Sequence, residues 1–145
     1  MMELDEKQDQ EIRKLAGKFG LRFIVLFGSQ VAGRTTDQSD YDLAVFGHEA
    51  TPLADNLDRY IKILAGLSVI FKQREDKIDL TDLRNEDILL RYQIAIQGQL
   101  LAGNLDDYEN FRGFIIREYQ GAADLLRLEA IIVDRRQKLF AESLA

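Results

Sequence analysis

Residues 27 to 46 read FGSQVAGRTTDQSDYDLAVF. The stretch leaves the apolar run LRFIVLF, turns at Gly28-Ser29, crosses ten residues, and re-enters an apolar run with Asp40 and Asp42 at its start. Residues i and i+2 of a strand project from the same face, so the spacing predicts two carboxylates side by side. Two such charges repel, and burying them unpaired costs several kcal/mol or shifts a pKa. A divalent cation removes the conflict. Oxygen-only ligands favour a hard ion, Mg²⁺ or Mn²⁺. Asp79 lies in a further short apolar run, KIDL. If that strand neighbours the Asp40/Asp42 strand, Asp79 reaches the same place, and three carboxylates can hold two metals ~4 Å apart. Gly28-Ser29 supplies the complementary half. Glycine admits close backbone approach, a helix start offers unpaired N–H groups, and the Ser29 hydroxyl adds a donor, all suited to phosphates. Together these features describe nucleotidyl transfer from a nucleoside triphosphate.

Working outward, Ile12, Leu15, Ala16 and Phe19 have helical spacing, and Gly20 stops that helix. LRFIVLF (21–27) and YDLAVF (41–46) read as strands. Gln30 to Arg34 can form a turn or two of helix closed at Gly33, and TTDQSD reads as a polar loop. Thr51-Pro52 reads as an N-cap and N1 proline. They open a helix over about 52–73 whose face is Leu53, Leu57, Tyr60, Ile61, Leu64, Leu67, Ser68 and Phe71, with Gly66 inside it. A short third strand is expected at 77–80, with Asp79 at its end. Asn85 can cap a helix carrying Ile88, Leu89, Tyr92 and Ile96 and ending at Gly98. One long helix is expected over about 106–142. The order predicts an α+β (α/β-like) domain with a small sheet.

The chain has 145 residues, enough for one domain with a sizeable core, and 46% of them are apolar. It has no cysteine, which excludes disulfides and thiolate metal sites and fits a reducing compartment. The N-terminus MMELDEKQDQEIRKL has no apolar core and does not read as a secretory signal. The longest apolar runs are far too short to span a bilayer. Nineteen Lys and Arg stand against 25 Asp and Glu, a net charge of -6, which disfavours direct nucleic-acid binding.

The Gly-Ser turn followed by a D-x-D strand resembles the signature of the polymerase-β-type nucleotidyltransferase superfamily. At this length the chain resembles its minimal nucleotidyltransferases, and among them the antitoxins of HEPN/MNT toxin–antitoxin systems. The resemblance covers roughly residues 12 to 103, and LLRYQIAIQGQLLAGN looks like the helix and short strand that follow the third carboxylate. It implies a nucleotidyltransferase core over 1–103 and a helical extension over 104–145 that packs on the core, a partner or both, within one domain overall. It implies that Gly28 and Ser29 bind the triphosphate of ATP, that Asp40 and Asp42 bind two Mg²⁺ ions, and that Asp79 completes the catalytic metal site and helps deprotonate the acceptor. It further implies a cytoplasmic antitoxin of a type VII-like pair, which moves AMP to a tyrosine of a HEPN RNase toxin and so neutralises it. A masking protein that works by binding alone, or a small-molecule nucleotidyltransferase of the aminoglycoside-modifying kind, are the alternatives.

Arg34 sits on the phosphate loop and could steer phosphates, although a surface arginine is the favoured reading. Ser39 reads as a loop residue, Asp37 and Asp82 as solvated turn acids, the single His48 as a solvent-facing loop residue, and Lys77 as a strand-flanking cation. Within the long helix, Phe111, Ile115, Tyr119, Ala122 and Leu126 form one stripe. Phe114, Leu125, Leu128, Ile132 and Leu139 form another. A helix packed once requires one stripe. The second serves either a wrap around the core or a further contact, with a partner or a homodimer mate.

Overall fold

Asp5 accepts the Gln8 backbone N–H at 2.7 Å, and the Gln8 side chain accepts the Asp5 N–H at 3.2 Å. This reciprocal pair satisfies amides that a first helical turn leaves open, and it starts α1 (Glu6–Lys18). Ile12, Leu15 and Ala16 recur on its buried face. The helix ends at Phe19 and Gly20, the latter with φ +61°. The computed structural model describes residues 2–32, 40–48, 53–84 and 86–144.

Strands β1 (Leu21–Phe27), β2 (Tyr41–Gly47), β3 (Ile78–Asp82) and β4 (Gln99–Gly103) form one sheet in the order β3-β2-β1-β4. β1 is antiparallel to β2 and to β4, whereas β2 and β3 are parallel. A parallel pair requires a crossover, and α3 (Leu57–Phe71) provides it. The short α2 (Ser29–Ala32) follows β1 directly. Alternation along the strands sorts the side chains into two layers. Ile24, Leu26, Leu43, Val45, Ile78 and Leu80 pack against α1 and α3. Phe23, Val25 and Ala44, with the half-buried Phe27 and Phe46, pack on the other face against α4 (Ile88–Gln97) and α5 (Leu105–Leu144).

Several expectations shift. The crossover helix begins at Leu57, capped by Asn56, whose side chain accepts the Arg59 N–H at 3.2 Å; a short 3-10 turn occupies Leu53–Asp55. Thr51 and Pro52 lie outside the described residues. Its buried face is Ile63, Leu67, Ile70 and Phe71, while Leu57 and Ile61 are exposed. Asp87, rather than Asn85, caps α4 by accepting the Leu90 N–H at 2.9 Å; Asn85 itself is outside the described residues. Ile94 and Ala95 are the buried positions of α4, and Leu89 and Ile96 are exposed. β3 runs on to Asp82, so Asp79 stands near its start.

Helix α5 has 40 residues, a length of about 60 Å at 1.5 Å per residue. Its first part is tied down. The Tyr108 hydroxyl donates to the Gly98 carbonyl at 3.2 Å, Arg112 Nε donates to the Ala95 carbonyl at 2.7 Å, and Tyr119 stacks on Tyr92 of α4 at 3.8 Å between ring centres. Beyond Ala123 every described residue of α5 is exposed. Among the described residues no helix is long and apolar enough to cross a membrane.

Candidate active site

The edge where β1 ends and β2 and β3 begin collects the acidic residues. Asp40 immediately precedes β2, and Asp42 is its second residue. In the parallel register Asp42 stands directly opposite Asp79, and across the other ladder it faces Phe27. Alternation places Asp42 and Asp79 on the sheet face that carries α4 and α5. The arrangement follows from strand order: β2 is central, so its two neighbours bring the Gly28 turn to one side of Asp42 and Asp79 to the other.

The electrostatics at Asp42 are those of a carboxyl set among like charges. Asp42 is half-buried and its carboxyl is pushed above the ordinary 3.8, first by desolvation and then by the charges of Asp79 and Asp40. Asp40 and Asp79 are exposed. Among the described residues no group of three acidic side chains is already drawn together as a ready metal cage. Like charges on turning side chains stay apart until a cation lies between them. The residue set nevertheless fits a hard divalent ion, since all donors are carboxylate oxygens and the most buried of them is held at a cost by its acidic neighbours.

Gly28 closes the other side. It adopts φ +75°, and a Cβ placed there would overlap the Asp42 carboxylate, 3.1 Å from its Cγ. The glycine therefore makes room for the carboxylate itself, a role the sequence did not single out. Ser29 opens α2, and the Val31 N–H returns to the Gly28 carbonyl at 3.2 Å. Arg34, Gly33, Asp37 and Ser39 lie outside the described residues.

Residues held apart from this edge have other work. Asp82 is not a solvated turn acid. It is half-buried, and its two oxygens accept the Leu53 N–H at 2.7 Å and the Arg84 N–H at 2.9 Å, tying the start of the crossover to the end of β3. His48 is exposed at the far end of β2, where it lines an open cavity of about 730 Å³ with Arg13, Arg22 and Asp107. Lys77, by contrast, stays at the acidic edge: it ends the 3-10 turn Glu75–Lys77 just before β3, two residues ahead of Asp79.

A model of the family described as polymerase beta, nucleotidyltransferase matches residues 10–107. The chain belongs to this family of nucleotidyltransferases. Within it, the chain is 34% identical over 100 residues to the protein adenylyltransferase MntA of Shewanella oneidensis, covering 69% of this chain and 67% of that one. It is 29% identical to the MntA of Aphanizomenon flos-aquae over 116 residues, 74% of each chain. A solved toxin–antitoxin complex with AMP-PNP superposes with TM-score 0.65 at 31% identity, covering 87% of this chain and 96% of that chain. A tri-AMPylated HEPN toxin of Shewanella oneidensis in complex with its MNT antitoxin gives TM-score 0.61 at 28% identity, covering 89% and 96%.

Proposed function

We propose that this chain is an antitoxin that transfers AMP from ATP to a tyrosine hydroxyl of a HEPN-type toxin, in the cytoplasm, and so neutralises it. The observation that carries the reading is Asp42 standing opposite Asp79, two residues after Asp40, beside a glycine turn. The relatives named adenylyltransferase, and the neighbour whose toxin carries AMP, supply the acceptor class.

In this reading Gly28 and Ser29 receive the triphosphate, and Asp40 and Asp42 hold the divalent cations. Two Mg²⁺ ions, when bound, would neutralise the phosphates and lower the pKa of the attacking hydroxyl. Asp79 completes the site and accepts the proton of the tyrosine hydroxyl. The phenolic oxygen forms a bond to the α-phosphorus, the α–β phosphoanhydride bond breaks, and pyrophosphate leaves in line. Fixed position and electrostatics supply the rate.

The test is label transfer. With α-labelled ATP and Mg²⁺, the chain is expected to label a HEPN protein encoded beside it, and to neutralise it at substoichiometric amounts. Neutralisation that is stoichiometric and indifferent to ATP would assign masking instead. Labelling of an aminoglycoside but not the protein would assign the small-molecule reading.

Gly28→Ala separates site from scaffold. The left-handed φ costs roughly 1–2 kcal/mol in stability. The displaced Asp42 carboxylate is expected to cost roughly 10²-fold in transfer rate. Paired melting curves and initial rates check this; a destabilised variant with wild-type rate would refute the carboxylate's dependence on Gly28.

A further inference from the structure

The outer face of α5 carries a seam that the single chain leaves uncovered. Phe114, Glu118, Gly121, Leu125, Leu128, Ile132, Arg135 and Leu139 recur at alternating steps of four and three residues, the spacing of a two-helix seam. The core covers a different side of the helix, through Tyr108, Phe111 and Ile115. The large apolar members of the seam are exposed, from 41% at Ile132 to 66% at Leu139, with Phe114 at 55%. Gly121 opens onto empty space. The seam spans about 38 Å of helix.

Its two charges indicate what covers it. Asp124 pairs with Arg127 at 3.2 Å and Asp134 with Lys138 at 3.1 Å, both within the helix. Glu118 and Arg135 have no ion pair among the described residues, and helical spacing gives neither an opposite charge three or four positions away. We propose that this seam is an interface with a second copy of the same chain, the two α5 helices running antiparallel about a two-fold axis between Leu125 and Leu128. In that register Phe114 meets Leu139 of the second copy, Glu118 meets Arg135, Gly121 meets Ile132, and Leu125 meets Leu128. The two-fold repeats every contact, so both unpaired charges find opposite partners twice and each bulky Ile132 lies over a glycine. A parallel in-register pair sets Glu118 on Glu118 and Arg135 on Arg135. Shifting the antiparallel pair by one heptad sets Glu118 against Glu142 or against Leu128. Only one arrangement satisfies the seam's charges. At its flank Arg117 approaches Lys138 of the second copy, a like-charge contact that the Asp134–Lys138 pair offsets.

The interface does not depend on the transfer reaction, and its test reads mass. Sedimentation velocity of the full chain is expected to show a concentration-dependent dimer. Glu118→Arg alone and Arg135→Glu alone are each expected to shift it to monomer, and the two together to restore the dimer. Both positions are exposed, so helix content by circular dichroism should stay at the wild-type value in all three variants. The chain lacks cysteine, which permits a direct check of polarity. Under an added oxidant, a mixture of Phe114→Cys and Leu139→Cys chains is expected to form a mixed disulfide, and neither alone. A monomer up to the solubility limit overturns the proposal. So does a dimer indifferent to Glu118→Arg, or a seam protected only when the toxin is added.

Discussion

Replacing Asp40 and Asp42 together by asparagine is expected to remove AMP transfer, by about 10³-fold or more, since charge stabilisation by the bound metals supplies several kcal/mol and each 1.36 kcal/mol is tenfold in rate. The same change is expected to leave the fold intact and to raise the melting temperature in metal-free buffer. Asp42 is pushed up by burial and by Asp79 and Asp40. A carboxyl whose folded pKa lies above its unfolded value favours folding while protonated. That contribution is full below 3.8 and is lost as the pH rises through the raised value. At neutral pH the ionised cluster therefore weighs against folding, and asparagine lifts that weight. The advantage of the variant over wild type should be larger at pH 7 than in acid, and Mg²⁺ should stabilise wild type alone. Residual transfer at the wild-type rate would sink the assignment of these two residues. A variant that melts lower at every pH would sink the electrostatic account.

Gly103→Ala is expected to be the most damaging single change to the scaffold. Gly103 ends β4 with φ +118°, a conformation outside the ordinary range of L-residues. An added Cβ would lie 2.5 Å from the Phe23 Cα and overlap the Arg22 carbonyl oxygen. Both are backbone atoms of β1, so no side-chain rotation relieves the clash. The same Arg22 carbonyl accepts the Asn104 N–H at 3.1 Å, and the Asn104 side chain accepts the Asp107 N–H at 3.0 Å in the first turn of α5. Prying β4 from β1 therefore unsettles the start of the long helix as well. A loss of about 3 kcal/mol or more is expected, a large share of a typical domain's 5–15 kcal/mol. Urea denaturation measures it; a variant within about 1 kcal/mol of wild type would contradict the close approach of Gly103 to the β1 backbone.

The strands were legible where composition and periodicity agreed. LRFIVLF and YDLAVF are aromatic and β-branched runs bounded by glycine or polar residues, and β1 and β2 occupy them. The acidic pair was legible because carboxylates at a strand edge have no packing use. Helix faces were less so. Helix α3 is apolar on several sides, so periodicity alone could not tell whether Leu57 and Ile61 or Ile63 and Ile70 would meet the sheet. Only the sheet decides that, and it chooses the latter pair. Helix α4 repeats the pattern with Ile96 exposed and Ala95 buried. Asp82 differs from its solvated-turn expectation for a related reason: its partners, the amides of Leu53 and Arg84, meet it only after the crossover has closed. The close fit of Gly28 to Asp42 is likewise a through-space fact, since the β1–β2 ladder creates it.

The mixed direction of the sheet also sets an order of assembly. Gly28, in the turn just past β1, meets Asp42 of the antiparallel neighbour β2 through a short chain closure. Asp79 joins them only after the chain has travelled out through α3 and back to lay β3 parallel to β2. Longer closures cost more entropy before any contact rewards them, so parallel pairing tends to come late. The cluster is thus completed by a long-range folding event. A nascent or half-folded chain can hold the Gly28–Asp42 half without the third acid, and the full set of carboxylates marks a chain whose crossover has docked.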